Sequence, residues 1–75
     1  MLEKRIRLRE VNEVIEFVCA AGKCEFDVDI YYDRIPIDAK SIMGVLSLDL
    51  TKPLIVQYTR EDSAWERVLS KFVIA

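Results

Sequence analysis

The chain has 75 residues, of which 52% are hydrophobic and 32% are charged. Eleven basic and thirteen acidic residues give a formal net charge of −2, which argues against binding to nucleic acid or to an anionic membrane surface. A chain of this size buries only about 60% of its surface on folding. We therefore expect a single domain over residues 1–75, with one core layer and no enclosed active site.

The cysteines and the apolar runs exclude further classes of protein. Cys19 and Cys24 have four residues between them, which is not a zinc or redox spacing, and the chain has no histidine to complete a ligand set. The apolar runs are short and interrupted by charge, and residues 1–10 lack the apolar core of a signal peptide. We expect a reduced cytoplasmic protein with no metal, no cofactor and no membrane span.

The first elements predicted along the chain are a strand and a helix. Strict alternation over residues 4–9 predicts the strand, and a change to helical periodicity over residues 11–21 predicts the helix. The apolar stripe of this helix comprises Val11, Val14, Ile15, Val18 and Ala21. Asn12 is a candidate N-cap, and Gly22 a candidate αL terminator.

A hairpin is predicted next. Residues 25–32 alternate between apolar and polar side chains and predict a second strand. A tight turn at Asp33 and Arg34 joins it to a short third strand, RIPID. Pro36 has no N–H group to donate, so this third strand is expected at an edge of the sheet.

The second half of the chain predicts a helix, a strand and a helix. Ile42, Val45 and Leu46 lie at helical spacing, Pro53 opens an alternating strand, and a capping box at Ser63 begins the last helix. The apolar stripe of that helix comprises Trp65, Val68, Leu69, Phe72 and Val73. The order β-α-β-β-α-β-α predicts an α+β fold, an open-faced two-layer sandwich with the helices on one face of the sheet.

One segment of the chain resembles a known family. Residues 38–48, DAKSIMGVLSL, resemble the regulatory-serine signature of HPr, the phosphocarrier protein of the bacterial sugar phosphotransferase system. The predicted element order is also that of the HPr fold, so the resemblance covers nearly the whole chain. It implies a four-stranded antiparallel sheet of order 1-4-2-3 with three helices on one face.

The chain departs from this family at the active site. HPr carries its phosphoryl group on a histidine in a loop before the first helix, whereas this chain has no histidine. The predicted strand ends at Arg9 and the helical stripe begins at Val11, which leaves no room for that loop. Because a phosphocarrier needs an imidazole nitrogen, we expect no phosphotransfer, no catalytic residue and no enzymatic activity.

Ser41 immediately precedes the apolar helical run. Its hydroxyl is expected to cap the helix by accepting a backbone N–H group of the first turn. In HPr proteins of Gram-positive bacteria the serine matching Ser41 is phosphorylated by a dedicated kinase. The resemblance therefore implies regulatory phosphorylation at Ser41, with HPr kinase as a partner, and the alternative is a helix cap with no further role.

The apolar residues of the same helix suggest a partner-binding surface. Residues of HPr that match Ile42, Met43 and Leu46 contribute to docking partner proteins, and with Lys40 they form the predicted partner-binding set. The alternative is that Ile42, Val45 and Leu46 lie in the core while Met43 is an isolated exposed residue. Gly44 is less favourable than alanine in a helix by about 1 kcal/mol, which suggests a close approach by the sheet or by a partner.

Two functions of different kinds remain. The first is an HPr-like regulatory or protein-binding homologue that does not transfer phosphoryl groups and is switched at Ser41. The alternative is a structural or interaction domain that keeps the HPr fold without a link to sugar transport. The expected partners are proteins, HPr kinase or a transcriptional regulator among them, with no nucleic acid and no membrane. Open strand edges allow either a monomer or a strand-exchanged dimer.

Overall fold

A computed structural model describes residues 1–74 of the chain. Within those residues the elements are β1 (Leu2–Ile6), α1 (Val11–Gly22), β2 (Val28–Tyr32), β3 (Ile35–Asp38), α2 (Ile42–Leu46), β4 (Leu54–Tyr58) and α3 (Ser63–Leu69). The strands form one antiparallel sheet in the order β1-β4-β2-β3. The predicted element order and strand order are therefore confirmed.

The register of the strands gives the sheet two unlike faces. Val56 of β4 pairs with Ile30 of β2, and both side chains are fully buried. The next pair on the same two strands, Ile55 and Tyr31, points to the opposite face and is only half-buried. All three helices contribute to the same core cluster as Val56 and Ile30, so they cover that face and leave the other open.

The hairpin between β2 and β3 follows the predicted pattern. Asp33 and Arg34 have φ angles of 53° and 71°, as a two-residue type I′ turn requires. Pro36 lies in β3, which is an edge strand of the sheet as its missing N–H group indicated.

The buried stripe of α1 differs from the predicted one. Val11 and Ile15 were predicted in the core and are 58% and 47% exposed. Phe17, which lay outside the predicted stripe, is fully buried, and its ring centroid lies 5.5 Å from that of Trp65 in α3. The observed stripe of Val14, Phe17, Val18 and Ala21 also has helical spacing, so the periodicity of α1 fits both stripes, and the aromatic neighbour in α3 favours the one that contains Phe17.

Three predicted helix ends are also wrong. The N-cap of α1 is Glu10 rather than Asn12, and it makes no side-chain cap hydrogen bond. Gly22 lies within α1 and does not have a positive φ. The N-cap of α3 is Asp62 rather than Ser63, because the Asp62 carboxylate accepts the backbone N–H group three residues further on, at 3.0 Å.

The segment after α3 leaves the helical path. The predicted helical stripe included Phe72 and Val73, but α3 ends at Leu69. Phe72 is buried, and its carbonyl oxygen accepts the N–H group of Arg7 at 2.9 Å. Val73 forms an antiparallel bridge with Ile6 at the end of β1. Pairing with this open strand edge therefore replaces the predicted last helical turn.

The observed orientation of α1, with Phe17 buried and Ile15 half exposed, predicts that two substitutions change the free energy of unfolding by different amounts. Phe17→Ala is expected to lower the free energy of unfolding by about 3–5 kcal/mol, since it removes a fully buried ring. Ile15→Ala is expected to lower it by less than about 1 kcal/mol, because that side chain is half exposed. Urea denaturation followed by the fluorescence of Trp65, which is buried and the single tryptophan of the chain, measures both. Equal losses would contradict the observed orientation of α1.

Candidate functional site

Ser41 lies at the N-cap of α2 and is exposed. Its backbone is extended, with φ −97° and ψ 107°, and its hydroxyl oxygen accepts the N–H group of Gly44 at 3.2 Å. The predicted cap is confirmed. The cap hydrogen bond uses the hydroxyl as an acceptor and leaves the side chain open to solvent.

Hydrogen bonds hold residues 38–41, the turn that leads into α2. The Asp38 carboxylate accepts the N–H group of Lys40 at 2.9 Å, and the Asp38 carbonyl oxygen accepts that of Ser41 at 3.0 Å. Ala39 is fully buried, and its N–H group donates to the carbonyl oxygen of Val28 at 2.9 Å. These bonds fix the position of Ser41 relative to the sheet.

Lys40 is placed differently from the other residues of the predicted partner-binding set. It is half-buried, and its ammonium group donates to the carbonyl oxygen of Cys24 at 3.0 Å. This bond ties the segment after α1 to the segment before α2.

The Cys24 thiol has a raised pKa. Burial is the larger cause and the nearby Asp62 carboxylate adds to it. The thiol therefore stays protonated and is a poor nucleophile.

Helix α2 buries one side chain and exposes three. Val45 is fully buried, whereas Met43 is 77% exposed. Ile42 and Leu46 are 36% and 40% exposed, so the alternative that places Ile42, Val45 and Leu46 in the core is right for Val45 and wrong for the other two. The three exposed apolar side chains follow directly after Ser41 and lie on a helix that contains no charged residue.

Gly44 lies close to the edge strand β3 of the sheet. A Cβ atom at this position would lie 2.9 Å from Cγ2 of Ile37 in β3 and 3.2 Å from the Ser41 hydroxyl oxygen. The expected close approach is therefore present, and it is made by the edge of the sheet.

Two residues of α1 extend the exposed apolar surface. Helix α1 packs against both α2 and α3. Successive residues of a helix are about 100° apart, so Val11 and Ile15 lie on a different side of α1 from Phe17, which packs against Trp65 of α3. We call the combined set the α1–α2 apolar surface; it comprises Val11, Ile15, Ile42, Met43 and Leu46.

The sequence itself indicates that some apolar residues of α1 are exposed. Helix α1 carries more apolar residues than one face of a helix can bury, and those left over recur at the spacing of Val11 and Ile15. Sequence reasoning assigned both to the core because it had not identified Phe17 as the buried alternative.

Residues 1–74 contain neither a metal-binding cluster nor a helix that could span a membrane. Across residues 1–74, no three cysteine, aspartate or glutamate side chains lie close enough together to hold a metal ion. No helix in this part of the chain is both long enough and apolar enough to cross a membrane.

The fold is similar to that of a known protein, although the sequence is not. No protein-family model and no curated protein matches the sequence. The antiparallel sheet of order 1-4-2-3, with helices on one face, defines an open-faced sandwich. More particularly, the chain has the fold of HPr. A crystal structure of the phosphocarrier protein HPr from Bacillus anthracis strain Ames matches it with a TM-score of 0.70 over 95% of both chains, at 23% sequence identity.

The contact between Gly44 and β3 predicts that the effect of Gly44→Ala on stability depends on the residue at position 37. Gly44→Ala is expected to lower the free energy of unfolding by about 1 kcal/mol, because overpacking against Ile37 outweighs the gain in helix propensity. In an Ile37→Ala background the loss is expected to be smaller, because only the contact with the Ser41 hydroxyl oxygen at 3.2 Å remains to oppose the gain in helix propensity. Chemical denaturation of the four proteins of this cycle measures the coupling. The same effect in both backgrounds would contradict the contact.

Proposed function

We propose that the protein is an HPr-like regulatory protein of the cytoplasm that binds other proteins through the α1–α2 apolar surface. In this proposal it is switched by phosphorylation at Ser41 and does not transfer phosphoryl groups. The observation that carries the proposal is the exposed hydroxyl of Ser41 directly beside exposed Ile42 and Met43.

The surroundings of Ser41 support a switch. Phosphorylation adds about −1.5 to −2 charges and three hydrogen-bond acceptors at one position. The next five residues carry no charge, so a phosphate at Ser41 would change the electrostatic character of this surface. The side chain is exposed and its hydroxyl donates no hydrogen bond within residues 1–74, so modification requires no buried group to be uncovered.

The residue types of the chain support the absence of phosphotransfer. The chain has no histidine. The predicted strand end at Arg9 is wrong, since β1 ends at Ile6 and residues 7–10 connect it to α1. The buried Cys24 thiol has a raised pKa, so it does not replace an imidazole. Loss of the phosphocarrier loop, and with it of enzymatic activity, stays a prediction.

The exposed side chains of the α1–α2 apolar surface support protein partners. Met43 is flexible and polarizable and adapts to different partner surfaces. An apolar group of this kind on a small domain is typical of a protein-binding site. We infer that the kinase recognises Ser41 and that a second partner, such as a transcriptional regulator, docks on the apolar side chains.

One observation favours a second candidate function. The Ser41 hydroxyl already serves as the cap of α2, which is sufficient reason for a serine at this position. In that case the chain is an interaction domain with the HPr fold and no link to sugar transport. It would use the same apolar surface and remain unmodified.

Incubation with HPr kinase and ATP tests the switch directly. We expect the wild-type chain to gain the mass of one phosphoryl group, and Ser41→Ala to gain none. Ser47→Ala is the matched control, since Ser47 lies at the other end of α2 and its hydroxyl donates to the Gly44 carbonyl oxygen. It should be modified like the wild type. An unmodified wild type, or a modified Ser41→Ala protein, would refute phosphorylation at Ser41.

A separate measurement tests the docking surface. Met43→Asp is expected to weaken binding to the partner by at least about tenfold, because it places a charge in the apolar contact. Val73→Asp changes another exposed apolar residue, beside the opposite edge strand β1, and should bind normally. Pull-downs with the first enzyme of the transport system and with transcriptional regulators would identify the partner. Binding only to unrelated proteins would favour the second candidate function.

A further inference from the structure

A shallow hollow of about 310 Å³ lies at one end of the sheet. The last residues of β1, the turn between β2 and β3, and the residues that lead into β4 meet there. We call it the Arg5–Lys52 hollow; it is lined by Arg5, Tyr32, Asp33, Lys52, Pro53 and Ile55. It shares no residue with the α1–α2 apolar surface or with Ser41, so a ligand in this hollow is independent of the proposed function.

Two cationic side chains of the hollow are available to a ligand. Arg5 and Lys52 are exposed, and neither forms an ion pair within residues 1–74. The ion pairs in that part of the chain join Arg60 to Glu25 and Lys71 to Glu16. Both positive charges of the hollow can therefore meet an anion without first giving up a partner.

One acidic residue also lines the hollow. Asp33 sets one negative charge against the two positive charges of Arg5 and Lys52, which leaves one positive charge in excess. Asp49 precedes Lys52 in the chain, but its carboxylate accepts hydrogen bonds from the backbone N–H and hydroxyl groups of Thr51. An anion with a single charge, such as a carboxylate, therefore matches the hollow better than a doubly charged phosphate.

The rest of the lining offers contacts to an apolar group. Ile55 of β4 pairs with Arg5 of β1, so the two side chains lie next to each other on the face of the sheet opposite the helices. Pro53 and Tyr32 complete this part of the lining. Ile55 and Tyr32 are half-buried, so each retains surface that a ligand can cover. Covering that surface with an apolar body favours binding.

The charges along the sheet and the size of the hollow favour a small ligand. On the open face, the row of side chains beyond Arg5 carries Glu3, Asp29 and Asp38. A nucleic acid or an anionic membrane that extended along this face would be repelled by those acids. The volume of about 310 Å³ is near the lower end of the range for ligand pockets, about 300–1,000 Å³. It suits a molecule with about one ring.

We propose that the Arg5–Lys52 hollow binds a small carboxylate that carries an apolar body of about one ring. The planar guanidinium group of Arg5 donates two parallel hydrogen bonds to the carboxylate oxygens, and the ammonium group of Lys52 adds a second positive charge. The apolar body packs against Ile55 and Pro53. Binding is weak and depends on ionic strength, because both cations are exposed to solvent.

Titration of the wild-type chain with sodium benzoate, followed by two-dimensional amide NMR spectra, tests the site. The amide signals of Arg5, Lys52 and Ile55 should shift with a dissociation constant of about 1–10 mM, relative to the same concentration of sodium chloride. Acetate, which lacks the ring, and benzyl alcohol, which lacks the charge, should each bind at least about threefold more weakly. Unshifted signals at about 50 mM benzoate, or an analogue that binds as tightly as benzoate, would overturn the proposal.

Substitutions identify the groups that hold the carboxylate. Arg5→Gln and Lys52→Gln should each weaken benzoate binding by about threefold, because each removes one of the two positive charges. Asp33→Asn should strengthen it by about the same factor, and asparagine tolerates the positive φ of this position as aspartate does. Lys23→Gln is the matched control, since it removes a positive charge from an exposed residue outside the hollow, and it should bind benzoate like the wild type.

The control separates a site from attraction by the charge of the whole chain. If Lys23→Gln weakens benzoate binding as much as Lys52→Gln does, the anion responds to net charge and the proposal is wrong. It is also wrong if Asp33→Asn leaves the affinity unchanged or lowers it. All four substituted positions are exposed, and thermal unfolding verifies that each variant is folded.

Discussion

The shortness of α2 is the constraint on which the candidate site depends. A helix of five residues is not stable by itself, so its position relies on contacts with the rest of the fold. Val45 supplies the buried side chain, and Gly44 lets the backbone approach Ile37 on the edge strand. Once these two contacts are made, Ser41 and Met43 have no place in the core and are left exposed. The same contacts that hold the helix therefore create the surface.

Local signals predicted the parts of the structure that local physics decides. Alternation over residues 25–32 identified the buried face of β2, and Pro36 identified the edge strand, because each signal reports directly on burial or hydrogen bonding. The cap at Ser41 and the close approach at Gly44 were also foreseen, since both follow from the requirements of a helix terminus and of a glycine within a helix. The turn at Asp33 was also predicted from the local sequence.

Contacts between distant segments account for what the sequence did not reveal. The buried residues Val14, Phe17, Val18 and Ala21 lie at helical spacing, as the predicted stripe does, and the contact of Phe17 with Trp65 decides between the two stripes. Val73 continues a helical pattern in the sequence, yet its segment pairs with the edge of β1. The ammonium group of Lys40 is held by the carbonyl oxygen of Cys24, a contact across 16 residues that removes it from the exposed set. In each case a partner elsewhere in the chain decided between local alternatives.

The two layers of the fold thus present two unlike surfaces: an apolar one beside Ser41, and a charged one on the open side of the sheet. The central claim is that α2 is held against β3 with its apolar residues outward. Nuclear Overhauser effects in the folded chain test it most directly. The account predicts a strong effect between the Gly44 α-protons and the Ile37 γ2-methyl group, and none between the Met43 methyl group and the core residues Phe17 and Val56. Absence of the first, or presence of the second, would contradict it.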